Sequence, residues 1–193
     1  MCTINFFLAL AIHTNIFVVD YIKFEELLGK HISVAETVIG DDFSETSFKS
    51  KKNGVKYYSN SEYLRKLLDY ELKDYFGMPC INLFIQTDKN DIVQSINIFF
   101  HKSIDRQFYD MFNTVYGQPT SILIIDKRTV ISESSAKDDP HGFNQHVRKS
   151  ELELREGTFE EGPLYIIWEK GSYKVKALFR QQNMSEITFS IRK

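Results

Sequence analysis

The chain has 193 residues, of which 42% are hydrophobic and 26% charged, enough apolar material for a real core and too much for wholesale disorder. Its 24 basic and 26 acidic residues are well mixed and leave a net charge of -2, which excludes nucleic acid as the expected partner because nothing draws the chain toward a phosphate backbone. With only Cys2 and Cys80, a disulfide framework and a thiolate zinc site are excluded as well, and no cofactor is expected.

Residues 4–19 are the most apolar stretch, Ile4 to Ile12, then His13-Thr14-Asn15, then Ile16 to Val19. The run is too short and too interrupted for a stable transmembrane span and fits the apolar region of a signal peptide over residues 1–20. No Lys or Arg precedes it, and no small-x-small cleavage site follows. The alternative is a buried N-terminal strand or helix. Export implies a periplasmic or secreted protein; an uncleaved N-terminus implies a cytoplasmic one.

Tyr21 to Leu28 reads as a short helix closed by Gly29, and Ser33-Val34-Ala35-Glu36 as a capping box that opens a second one ending at Gly40. Phe43–Phe48 and Val55–Tyr58, separated by Lys51-Lys52-Asn53-Gly54, read as a hairpin. The clearest helix begins at Ser59, with Leu64, Leu67, Leu68, Leu72 and Tyr75 on one face, and stops at Gly77-Met78-Pro79. A second hairpin follows, Ile81 to Ile85 and Ile92 to Phe100 around Asp88-Lys89-Asn90-Asp91. After Ser103, Ile104, Phe108, Met111, Phe112 and Val115 mark a third helical face, which ends at Gly117-Gln118-Pro119 before a strand at Ile122–Ile125. The motif aromatic-Gly-x-Pro before a strand thus occurs twice, at Phe76 and at Tyr116, and suggests tandem halves, 21–100 and 101–193, within a single domain, 21–193.

Residues 132–162 read as a long polar excursion, mobile or functional. The chain then returns to a meander, Tyr165–Glu169, Tyr173–Arg180 and Glu186–Arg192, in which Ile166, Trp168, Val175, Ala177, Phe179, Ile187 and Phe189 share one face. The expected fold class is α+β: an antiparallel sheet with helices packed on one face, built from a duplicated helix-hairpin unit.

Asp138 to His146 is the one cluster rich in acid-base or metal-type side chains. Asp139, His141 and His146 are the candidate catalytic residues, able in principle to hold a metal, although their spacing matches no zinc signature and a solvated loop explains them as well. No nucleophile elbow, phosphate loop or dinucleotide fingerprint is present. The acidic doublets Glu25-Glu26, Asp41-Asp42 and Glu160-Glu161 read as solvated surface. Tyr57, Tyr58, Tyr63, Tyr70, Tyr165 and Tyr173 are of the type favoured at protein interfaces.

Gly29 with Ser33–Gly40, the two aromatic-Gly-x-Pro stops and the Tyr165–Trp168 strand resemble small bacterial envelope proteins related to the barrel-assembly lipoprotein and to the β-lactamase inhibitor protein. That resemblance implies two short helices on an antiparallel sheet, in places as a tandem duplication, over residues 21–125 and the last meander. Cys2 precedes the apolar run and no cysteine follows it directly, so a lipid anchor is not implied. The functional expectation is a non-enzymatic, exported bacterial protein acting by protein binding, through the open sheet face or the 132–162 excursion. The alternatives are an intracellular inhibitor or immunity-type protein, and a hydrolase or metal enzyme using residues 138–146.

Overall fold

The computed structural model describes residues 22–39, 43–46, 54–59, 74–136, 145–180 and 184–192. Among them lie two α-helices, α1 (Ile32–Ile39) and α2 (Arg106–Tyr116), and 3-10 turns at Phe24–Leu27 and Phe159–Glu161. The strands are β1 (Ser44–Glu45), β2 (Lys56–Ser59), β3 (Asp74–Tyr75), β4 (Met78–Thr87), β5 (Val93–Phe100), β6 (Ser121–Ala136), β7 (Gln145–Glu156), β8 (Tyr165–Glu169), β9 (Tyr173–Arg180) and β10 (Met184–Ile191). They form an antiparallel sheet in the order β1-β2-β4-β5-β10-β9-β8-β6-β7, with β3 paired to β4 off that path. β5 and β10, which close the stretches 21–100 and 101–193, lie side by side over Ser95–Phe100 and Ser185–Ser190.

The sheet holds together because apolar residues recur with period two on each strand and meet in register. Leu83, Ile98, Ile187, Ala177 and Ile166 pair across β4, β5, β10, β9 and β8; beside them run Ile85, Ile96, Phe189, Val175 and Trp168. All of these are buried. Each large aliphatic or aromatic side chain so removed from water contributes about 1.5–3 kcal/mol.

What covers that face is an aromatic cluster drawn from several kinds of element. Phe24 from the first 3-10 turn and Tyr116 from α2 meet Phe189, Phe112 packs edge-on against Trp168 at 4.8 Å, and Phe108 against Phe100 at 5.8 Å. Phe76, in the β3–β4 turn, fills the middle between Phe108 and Phe112.

The α+β class with a layer of helices on one face is therefore corrected: the described chain is mostly one antiparallel sheet, and its two α-helices have only eight and eleven residues. Two local misreadings lie behind this. The Phe76-Gly77 stop does not end a helix; both residues have positive φ, 51° and 76°, and close the tight hairpin that pairs Tyr75 with Met78. The strand expected over Ile122–Ile125 runs from Ser121 to Ala136, and β7 occupies Gln145–Glu156 within the stretch 132–162 expected to be a polar excursion.

Other expectations need smaller adjustments. The segment at Tyr21–Leu28 is a 3-10 turn over Phe24–Leu27, and α1 is capped by the His31 ring, which accepts the Ser33 amide, in place of the Ser33–Glu36 box. Asp105 caps α2 by accepting the Phe108 amide at 2.8 Å, two residues after the expected Ser103. The helix expected after Ser59 falls on residues 60–73, outside the described residues, while Ser59 itself ends β2 and Asp74-Tyr75 form β3. Residues 1–20, with the expected signal peptide, are also outside them.

Candidate protein-binding surface

β6 and β7 build an arm. Among the described residues, Ser121–Leu123 of β6 pair with β8 and Leu123–Ala136 pair with β7, so beyond its base the hairpin is a two-stranded ribbon there. At about 3.3 Å per residue, β6 from 124 to 136 is about 40 Å long. Asp126 and Ile131 are the extra residues of two bulges in β6; β7 opposite them runs without a break.

The backbone ladder sets the register of the ribbon, and ion pairs run along it. Glu133 pairs with Arg148 at 2.9 Å and Lys127 with Glu153 at 3.2 Å. At the base, Arg155 bridges Asp126 at 3.2 Å and Glu161 at 2.8 Å, tying the arm to the 3-10 turn Phe159–Glu161. The hydrogen bond from Arg155, reinforced by the Thr158 amide, holds the Glu161 carboxyl below its ordinary value. Ser121 donates to Glu156 at 2.6 Å and the Gly157 amide to the Ile122 carbonyl at 2.9 Å, so the hinge side of the arm is bonded on both strands.

A ribbon has no core to bury its side chains against, and the arm carries apolar ones regardless. Val130, Ile131 and Val147 are 46%, 55% and 59% exposed, and Leu152 and Leu154 are 36% and 39% exposed. Leu154 pairs with Ile125 and Leu152 with Arg128, which places both leucines on one face of the ribbon; Val147, opposite Ser134, lies on the other. Where the leucine face meets the sheet, Ile125 and Leu152 line a groove of about 610 Å³ together with Ile104, Pro163, Leu164 and Phe179. Arg128 stands in the same groove and supplies its positive charge.

Two polar clusters elsewhere serve the fold. Asp91, in the β4–β5 turn with φ 60°, accepts from Lys56 Nζ at 2.7 Å and from the Tyr58 hydroxyl, which binds β2 to that turn. These two bonds, Lys56 first, lower the Asp91 pKa, and the bond to Asp91 raises that of Lys56; burial, then the bond to Asp91, pushes the Tyr58 phenol well up. The Tyr116 hydroxyl donates to Glu25 at 2.8 Å and lies 3.4 Å from that of Tyr75, and burial foremost raises its pKa. Glu26 pairs with Lys23, Glu160 with Arg106 and Glu161 with Arg155, so these acids are engaged at the surface.

Of the candidate catalytic residues, Asp139 and His141 lie outside the described residues, and His146 sits in β7 opposite Ser135. Among the described residues no group of three or more His, Cys, Asp or Glu side chains is placed to hold a metal ion. Tyr57, Tyr58, Tyr165 and Tyr173 are half-buried, and Tyr63 and Tyr70 lie outside the described residues. Sequence reasoning missed the arm itself. Its signal was present in the β-branched run Thr129-Val130-Ile131, just before the stretch 132–162 read as a polar excursion, and in the alternation Leu152-Glu153-Leu154 inside that stretch. No helix among the described residues is long and apolar enough to cross a membrane. No protein-family model, no curated protein and no solved structure matches the chain.

Proposed function

We propose that this is a non-enzymatic, exported bacterial protein that acts by binding another protein through the β6–β7 arm and the groove at its base. The observation that carries the reading is the set of solvent-exposed apolar side chains, Val130, Ile131, Val147, Leu152 and Leu154, on a paired ribbon that ion pairs cross. Exposed apolar groups gathered on one element mark interaction sites, since a surface serving only solubility gains nothing from them. A preformed ribbon also loses little conformational freedom when a partner docks. The alternating apolar and charged residues of β7 offer a partner main-chain hydrogen bonds and side-chain contacts together.

The test is retention of a partner by the immobilised full chain, against a V130S/V147S/L152S variant. A specific protein held by the first and lost by the second is the expected result. Equal retention by both, or robust turnover of a substrate with no specific partner, contradicts the reading. Export rests on the apolar run at residues 4–19 and is tested by sequencing the N-terminus of the mature protein: a start beyond residue 20 supports it, an intact Met1 opposes it.

A further inference from the structure

Long edge strands are hazards that proteins normally blunt with brevity, proline, bulges or repelling charge. Among the described residues the opposite edge of this sheet follows that rule, β1 having two residues. β7 does not: it has twelve residues, no proline and no bulge of its own, and among the described residues it pairs with β6 alone. Both bulges sit in β6, which leaves the outer edge of β7 regular.

The remaining device is charge, and the charges of β7 are self-complementary. In a two-fold antiparallel pairing of the strand with its own copy, residues of equal parity meet, so outward amides face outward carbonyls along the whole edge. Centring that pairing on Lys149 sets the lysine against itself, and centring it on Glu151 does the same to the glutamate. Centring it on Leu152 opposes Glu151 to Glu153 and Lys149 to Arg155. Centred on Ser150, near the middle of the strand, Lys149 meets Glu151 at two symmetric places and no like charges oppose. In the same register Arg148 meets Leu152, whose exposed side chain the aliphatic stem of the arginine can cover. Arg148 and Glu153 are already engaged with Glu133 and Lys127, whereas Lys149 and Glu151 make no ion pair among the described residues.

We propose that the outer edge of β7 pairs antiparallel with the same edge of a second copy of this chain, centred on Ser150, joining the two sheets into one. The proposal rests on the reading of the arm as a protein-binding element and names the occupant of its edge, leaving the groove at the base for a different partner.

Sedimentation equilibrium of the full chain over a range of concentrations tests it. Wild type is expected to dimerise. Glu151→Lys and Lys149→Glu, each of which sets like charges opposite at both symmetric pairs, should each raise the dissociation constant about tenfold or more. The double variant K149E/E151K, which exchanges the charges, should restore dimerisation to within about threefold of wild type. Both side chains are exposed and face Ser132 and Thr129 within the arm, so the fold survives the exchange. A monomer at every concentration, a dimer indifferent to either single variant, or a double variant that fails to recover overturns the proposal. A monomeric chain that still retains a partner lost in V130S/V147S/L152S refutes the self-pairing alone; a charge-dependent dimer with no other partner refutes the groove reading alone.

Discussion

Trp168 donates its indole N–H to the side-chain oxygen of Asn113 at 3.1 Å, and at the same distance to the Gly117 carbonyl, so one buried ring fastens the C-terminal end of α2 to β8. Trp168→Phe keeps an aromatic ring against Phe112 and removes the donor. It should cost about 1–2 kcal/mol, seen as a lower urea midpoint at unchanged slope. A changed slope would mean that the sheet itself had loosened.

The Phe76-Gly77 turn stores its demand in the backbone. A Cβ at Gly77 would find only Met111 Cε, at 3.8 Å, so Gly77→Ala is free of clash and suffers from its positive φ alone. The expected loss is about 1–2 kcal/mol, with Gly77→Asn recovering part of it because asparagine tolerates the left-handed region. Equal stabilities of the two variants in thermal melts would remove the strain argument.

Asp91 makes stability depend on acid. Its folded pKa lies below the ordinary 3.8, so its bonds to Lys56 and Tyr58 stabilise fully above that value and are lost as pH falls through the lower folded one. Lys56, raised above 10.5, keeps its share below that pH and loses it as pH climbs through its folded value. Asp91→Asn should be less stable than wild type at pH 7, and the two curves should converge below about pH 4. A gap that stays constant into acid would show that the carboxylate charge contributes nothing.

Burial separates substitutions in the core from substitutions on the arm. Phe112 is fully buried between Phe108, Tyr116 and Trp168, and Phe112→Ala should cost about 3–5 kcal/mol. Leu152→Ser on the exposed ribbon should change stability by no more than about 0.5 kcal/mol while weakening partner retention. Calorimetric melts of the two variants check the contrast.

The meander Tyr165–Arg180 was legible almost to the residue, because Ile166, Trp168, Val175 and Ala177 alternate with polar neighbours and one face of those strands is dry. The arm was harder to read for the converse reason. Both faces of a ribbon are wet, so its strands alternate between two kinds of exposed residue and read as loop. The aromatic-Gly-x-Pro repeat misled because a positive-φ glycine serves a helix end at Gly117 and a tight hairpin at Gly77 equally well. The site went unseen with the arm, since Val130, Val147 and Leu152 become a surface only when β6 and β7 are paired.

Backbone amide exchange of the full chain, alone and with its retained partner, puts the question most directly. Added protection concentrated in 124–136 and 147–156, with the α2 and β5 amides unchanged, is what an arm-mediated binder gives. Protection elsewhere with β7 left as it was contradicts it.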